Sequence, residues 1–388
     1  MQLYEHQAKT ILERYGIDLP RRRWAASLEA VARAAHELGP EVVLKAQVPA
    51  GGRGKAGGIR FAAGAAEAAR VAAELLGSQV RGFPVRSLLI EERLDIAAEY
   101  YLGFTVDARS RRAVCLVNES GGIDVEAGAG ASMQRAEIDP YLGLQSYQAL
   151  DLATLAQVDR PLLPEFVNIS RNLYRAFTDY GALLLEVNPL VVTRDRRLVA
   201  ADARMNLDNN ALDRREDVRQ LIERNPEDFP NEHRKMTDAF DHIILDPEGE
   251  VGLVSSGAGL TMATIDQIHA AGLKVFNFCD VRTGQLKGNP HKLIVVLEQL
   301  ATARRLKVIM VPIFAGSTDL SEFADTLLKA LREFGRPLPP VVVRCVGTNE
   351  AEGIRKLREA GFFVTRDLDE AVSEVVRIGG DSHVYSAR

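Results

Sequence analysis

The sequence predicts a mixed α/β protein in two domains, the second a doubly wound parallel sheet. Three observations carry that expectation. Strand-like and helix-like segments alternate strictly after Gly249. A strand at 41–48 runs into a glycine-rich loop, and an apolar hairpin around 183–204 carries polar residues on one face. Alternation of this kind is what a parallel sheet covered by helices requires.

In the C-terminal part, strands are expected at Val251–Ser255, Lys274–Val281, Lys307–Phe314, Pro340–Val346 and Phe362–Thr365. Helical patterns separate them at Met262–Ala271, Pro290–Arg304, Leu320–Phe334 and Asn349–Ala360, and Asp369–Ile378 follows the last strand. The strands are near-continuous apolar runs, as in a sheet buried on both faces. This is a flavodoxin-like arrangement, whose ligands bind beyond the carboxyl ends of the strands. Loops at Ser255-Ser256-Gly257, Asp280 to Gln285, Phe314 to Thr318 and Gly347-Thr348-Asn349 should therefore share one edge.

The N-terminal part is less regular. A helix at Glu5–Tyr15 stops at Gly16, a natural left-handed cap. A strand at Glu41–Val48, a helix at Ala65–Leu76 and strands near Ser87–Glu91, Tyr100–Val106 and Ala113–Val117 follow. A helix around Pro164–Thr178 leads to the hairpin, and the charged stretch Arg214–Asp241, with Pro226 and Pro230, reads as a connector. The domains are placed at 1–240 and 241–388.

Three places suit chemistry. Lys45 lies in an apolar strand and precedes Ala50-Gly51-Gly52-Arg53-Gly54-Lys55-Ala56-Gly57-Gly58. Glycines leave backbone N–H groups free to fold over phosphates, and a buried ammonium needs an anion. The loop is not a Walker loop, because Ala56 follows Gly54-Lys55. Its bland alternative is a flexible hairpin tip with a snorkelling lysine. Next, Glu91 and Glu92 end an apolar strand, with Glu99 shortly after; they suit an adenine amino group and ribose hydroxyls, or else a solvated turn. The third place is the hairpin. With Asp195 at the centre of its turn, Asn188 falls opposite Asp202 and Glu186 opposite Arg204, all on one side of the sheet. An amide and a carboxylate roughly 5 Å apart at Cβ suit Mg²⁺, an oxygen-seeking ion that also holds phosphates. The alternative is a surface polar pair with a weak Glu–Arg bridge.

Taken together, these motifs resemble the β subunit of succinyl-CoA synthetase, in the ATP-grasp superfamily, over nearly the whole length. The resemblance runs from Leu3-Tyr4-Glu5-His6-Gln7-Ala8-Lys9 through the glycine loop, Asp95-Ile96-Ala97, Glu186-Val187-Asn188-Pro189, Asp202 and Asn209-Asn210-Ala211-Leu212 to Ser256-Gly257-Ala258-Gly259-Leu260. It implies an N-terminal ATP-grasp domain that binds ATP or GTP, with Lys45, Gly52, Arg53, Gly54, Glu91, Leu94 and Glu99 as nucleotide contacts. It implies Asn188 and Asp202 as Mg²⁺ ligands, and Ser256 with Gly316, Ser317 and Thr318 around a carboxylate. It further implies a partner α subunit with the CoA-binding domain and a transiently phosphorylated histidine. None of the seven histidines here has such a setting. The chain departs from the family where three glycines are expected and Arg282-Thr283-Gly284 stands instead. Arg282, Thr283, Ser256, Ser317 and Thr318 replace glycine, amide or apolar positions and suggest an acid richer in oxygen than succinate, such as malate, citrate or a sulfonated acid. The alternative is that Arg282 turns to solvent or to the α subunit and merely replaces glycine contacts to the phosphohistidine loop.

Composition fits this reading. Net charge is −5 with Lys and Arg scattered, which argues against nucleic acid or an anionic membrane as partner. No apolar run approaches the ~20 residues of a membrane span. Cys115, Cys279 and Cys345 read as reduced core thiols of a cytoplasmic protein. Two other readings stand beside the acid–CoA ligase: a self-contained ATP-grasp ligase, disfavoured because no further catalytic domain follows Arg388, and a non-catalytic nucleotide-binding regulatory subunit.

Overall fold

The computed structural model describes residues 1–122, 133–238 and 240–380. The chain divides into two compact units, Met1–Leu221 and Ile222–Arg388.

Among the described residues, the first unit holds two large antiparallel sheets and a two-stranded ladder of Gln79–Val80 with Phe83–Pro84. In one, the spatial order is Arg22–Ala25, Leu88–Glu92, Glu41–Ala46, Ile59–Ala63. Val42, Leu44, Ala46, Leu88 and Ile90 turn to one face and pack on helices Leu28–Leu38 and Gly64–Leu75. Because strand side chains alternate, Val43, Lys45, Leu89 and Glu91 must turn to the other face. That alternation places a lysine and a glutamate side by side. The other sheet runs from the return strands Leu198–Ala200 and Arg204–Leu207 through Ala182–Thr193, Ile96–Asp107 and Arg112–Asn118 to Gln134–Ile138. Phe166 and Phe177 of helix Leu163–Asp179 pack their rings on Tyr100 and Phe104 of this sheet.

The hairpin has the expected register. Leu190 pairs with Ala200, and Glu186 with Arg204. The return is broken, however, into two strands around 201–203. Pro189 has no N–H to give the ladder, and pairing with Ile96–Asp107 shifts at this point too.

In the second unit, Val251–Leu253, Val308–Ala315, Val341–Gly347 and Phe363–Thr365 form a parallel sheet in that order. Ile309, Val311 and Ile313 pack in one core with helices His291–Leu300 and Leu320–Phe334. Val308 and Met310 pack in the other, with Ile268 of Ala258–Ala270 and Val372 and Val375 of Leu368–Gly380. The sheet is thus covered on both faces, as predicted. The expected strand over 274–281 behaves differently. Val275 makes only an isolated parallel bridge to Val251, while Asn277–Asp280 pairs antiparallel with Asp241–Ile244. The Asn277 side chain fills the missing rungs: its oxygen accepts from Leu253 N at 2.8 Å and its nitrogen donates to Leu253 O at 2.9 Å. The stretch read as a connector forms helices Glu216–Arg224 and Pro230–Asp238, the second opening on a proline that its first turn tolerates. Cys115, Cys279 and Cys345 are buried free thiols. No helix among the described residues is long and apolar enough to cross a membrane.

His242 is buried on the edge strand, its Nδ1 3.2 Å from an Arg234 nitrogen and its Nε2 3.3 Å from the Asn277 amide nitrogen. Burial first, and then the Arg234 charge, lower its pKa to about 4. The unfolded chain therefore takes up a proton near neutrality that the folded one refuses until much lower pH. Stability from this residue is complete above the unfolded value and is lost as pH falls toward about 4, a loss on the order of 3 kcal/mol. Thermal unfolding across this range is expected to show a shallower pH dependence in His242→Gln; an unchanged slope would remove the assignment.

Candidate functional site

Lys45 is held between Leu89 and Ile59 of the neighbouring strands. It is 6% exposed, and the anions it meets belong to the protein. Its Nζ lies 2.9 Å from Glu5 Oε1 and 2.7 Å from Glu91 Oε2, and donates to the Ala201 carbonyl at 2.5 Å. Glu91, expected at a strand end facing ligand, is itself buried in this cluster. Glu92 instead bonds Arg21 at the surface. Burial pulls the Lys45 ammonium toward neutrality, but Glu5, Glu91 and Asp202 outweigh it and raise its pKa. For Glu5, burial alone would raise the carboxyl, and the charges of Lys45, Lys9 and Arg53 instead hold it well below the usual range.

Two further residues of the site, Glu5 and Lys9, carry no sequence motif that marks them as such. They lie one turn apart on the opening helix Glu5–Arg14, with nitrogen and oxygen 2.9 Å apart and both side chains essentially inaccessible. Their visible signal was a pair of charges on the same helical face as Ala8, Ile11 and Leu12, which are buried.

The glycine loop turns at Gly52 and Gly57, both with positive φ. Arg53 points inward. Its guanidinium meets both Asp202 oxygens at 2.8 and 2.9 Å and Glu5 Oε2 at 2.9 Å. Asp202 keeps 24% side-chain exposure against 8% for Arg53, so it is the carboxylate of the group that still opens outward. Burial raises its carboxyl pKa, Arg53 opposes that, and Glu5 adds to it.

Asn188 and Asp202 line one cleft of about 720 Å³ together with Lys45, Arg53, Gly54 and Glu99. The Asn188 amide is fixed by Gly122, accepting from its N–H at 2.6 Å and donating to its carbonyl at 3.3 Å. Arg204 lines the same cleft, and its buried Nε has no hydrogen-bond partner among the described residues. Glu186 accepts from Tyr101 at 3.2 Å and sits 3.9 Å from Arg204. A second hollow of about 620 Å³ is lined by Leu94, Glu91, Pro20 and Val43. The two hollows share Lys45, Ile59, Phe61 and Ala201 as a common wall. No group of three or more His, Cys, Asp or Glu suited to a metal occurs among the described residues. Oxygen-bearing side chains lining the cleft include Asn188, Asp202, Glu99 and Glu186.

In the second unit the strand-end loops do meet. Ser256 and Thr283 hydroxyls lie 3.2 Å apart, and Thr283 and Thr318 hydroxyls 3.1 Å apart. Thr348 donates to the Gly316 carbonyl at 2.8 Å, leaving Gly316 and Ser317 exposed beside Thr318. Arg282 adopts a left-handed conformation and turns its guanidinium to Asp241 at 3.1 Å, outside the hydroxyl chain.

Against known proteins, residues 2–192 match the ATP-grasp domain and residues 254–378 the CoA-ligase domain. The chain is 38% identical to the succinate–CoA ligase [ADP-forming] subunit beta of Ignicoccus hospitalis, covering 97% of this chain and 99% of that one. It is 41% identical to the subunit of the same name from Rubrobacter xylanophilus, over 92% and 93%. A probable malate–CoA ligase subunit beta of Mesorhizobium japonicum is 36% identical over 97% of each chain. In fold, the chain matches ATP citrate lyase from Methanothrix soehngenii with a TM-score of 0.73 at 18% identity, covering 98% and 99%.

The cleft depends on close backbone approach. A Cβ on Gly121 would lie 2.7 Å from the Tyr100 carbonyl and 2.9 Å from Pro189, next to Asn188. A Cβ on Gly51 would meet only the end of the Arg204 side chain, at 2.9 Å. Gly121→Ala is therefore expected to cost about 1–3 kcal/mol, because backbone must shift, whereas Gly51→Ala is tolerated. Thermal midpoints of the two variants compare them directly, and equal midpoints would contradict the contact.

Proposed function

The chain belongs to the family of ADP-forming succinate–CoA ligase β subunits, and from that premise we propose that it is the nucleotide-binding half of an acid–CoA ligase. In this reading a phosphoryl group passes from ATP, or GTP, to a histidine of a partner α subunit, which also binds CoA. It then passes to a carboxylate, and CoA displaces phosphate to give the thioester. The observation that carries the reading is the convergence of Lys45, Arg53, Asn188 and Asp202 on one cleft. The buried free thiols fit a reducing, cytoplasmic setting.

Phosphoryl transfer calls for positioning and charge neutralisation more than for covalent help from this chain. Lys45 and the N–H groups around Gly52, Arg53 and Gly54 would receive the phosphates, with Arg204 lining the same cleft. Leu94, on the far side of the shared wall, and Glu99 would face the nucleoside and its hydroxyls. Glu91 would act from beneath, through the ammonium it holds. Asn188 and Asp202 fit Mg²⁺, an ion that keeps one or two protein oxygens and takes the rest from phosphate and water. Arg53 stands in for a cation on the Asp202 carboxylate. When bound, the ion would neutralise charge on the phosphate oxygens.

The acid would sit at the hydroxyls of Ser256, Ser317 and Thr318 beside Gly316, with Thr283 joining them. Arg282, held by Asp241, would lie at the rim of this pocket. Donors left unpaired by succinate would penalise it relative to an acid with a further hydroxyl or anionic group.

Asp202→Asn keeps the shape and removes the charge. Calorimetric titration is expected to give it the same nucleotide affinity with Mg²⁺ as with EDTA, in a chain whose circular dichroism stays native. Retention of the metal-dependent increment would exclude Asp202 as a ligand.

The purified chain alone is expected to bind nucleotide and to form no acyl-CoA. Co-expressed with an α-type partner, it should release ADP in a CoA-dependent way, with a hydroxylated or otherwise more polar acid giving the highest kcat/KM. Succinate as the best acid would refute the altered pocket, and acyl-CoA formation by the chain alone would refute the division of labour.

A further inference from the structure

Two lysines converge on the same three groups. Lys45 Nζ meets Glu5 Oε1 at 2.9 Å, Glu91 Oε2 at 2.7 Å and the Ala201 carbonyl at 2.5 Å. Lys9 Nζ meets Glu5 Oε1 at 2.9 Å, the other oxygen of Glu91, and the same Ala201 carbonyl at 2.7 Å. The two differ in access. Lys9 has no exposed surface, whereas Lys45 keeps 6% and forms part of the wall of both hollows. A ligand in the cleft can therefore reach one ammonium and not the other.

We infer that Lys9 is a positioning residue for the nucleotide site: the fixed counter-ion of Glu5, Glu91 and Ala201 that leaves Lys45 able to give its charge to a phosphate. The inference rests on the reading of Lys45 as a nucleotide contact. Without Lys9, any movement of the Lys45 ammonium toward a ligand would leave Glu91 without a cation and Glu5 with Arg53 alone. Removing one partner of a buried pair is strongly unfavourable, so Lys45 would be locked in place. With Lys9 present, both carboxylates keep an ammonium, and the peptide before Asp202 keeps its anchor. The six charges Lys9, Lys45, Arg53, Glu5, Glu91 and Asp202 balance in sign. Deleting Lys9 leaves one carboxylate in excess; Glu91→Gln in the same chain restores the balance and removes the carboxylate that Lys45 alone would hold, while Glu5 keeps Arg53.

The test is calorimetric titration of the full chain with ATP and Mg²⁺, for the wild type, Lys9→Met and the Lys9→Met/Glu91→Gln double variant, each checked for native circular dichroism. Lys9→Met is expected to bind nucleotide about tenfold more weakly or worse, and the double variant to recover to within about threefold of wild type. A role confined to stability would move the thermal midpoint without this loss and rescue of affinity. Wild-type affinity in folded Lys9→Met overturns the inference. If Lys9→Met does not fold, the double variant decides: a folded double variant still tenfold weaker overturns it, and one within threefold supports it. Lys45→Met separates this from the underlying reading. If it binds as wild type, Lys45 is no nucleotide contact and both fall; if it is weakened while Lys9→Met is not, the role of Lys9 falls alone.

Discussion

Much of the first unit is organised around a carbonyl. Ala201 O receives two ammonium groups, and through them the opening helix and the Glu41–Ala46 sheet are tied to the return strand of the hairpin in the other sheet. Charges buried to this depth are tolerated only when every partner is present and well placed. Three cations and three carboxylates meet here within ion-pair distance, and they fix where Asp202 and Lys45 sit. The cleft is in this sense the exposed margin of a buried salt network. Its shape follows from charge pairing as much as from apolar packing.

The break in the hairpin belongs to the same arrangement. A continuous return strand would have spent the Ala201 carbonyl on a ladder. The interruption at 201–203 leaves that carbonyl to the lysines and lets Asp202 reach Arg53. Meanwhile Glu186 opposite Arg204 and Leu190 opposite Ala200 keep the register on either side.

This explains what could be read in the sequence and what could not. The polar face of the hairpin and the parallel sheet of the second unit were legible, because strand alternation and apolar runs are local signals. A lysine in an apolar strand announced a buried charge, but its partners lie 40 or more positions away and no local pattern names them. Glu5 and Lys9 look like an ordinary surface pair at helical spacing, and only the sheet packed over them makes them interior. Arg22–Ala25 begins with two arginines and passes for loop; it becomes a strand by pairing with Leu88–Glu92. Asp241–Ile244 is a strand because Asn277–Asp280 turns away from the parallel sheet to meet it. Arg282 lies on the loop after Asn277–Asp280, and the direction of its side chain is set by Asp241 and by a left-handed backbone, neither of which local sequence reveals.

Asn277 has a consequence for the lifetime of the protein. Its amide imitates a peptide group, accepting from Leu253 N and donating to Leu253 O. Asp lacks the donor, Leu lacks both functions, and Gln places them one methylene too far. Hydrolysis of this single amide to a carboxylate, the commonest spontaneous damage to asparagine, would therefore set a buried anion against a carbonyl at the junction of two strands. The same two hydrogen bonds hold the side chain away from its own backbone, and so slow the reaction whose product the fold could not accommodate.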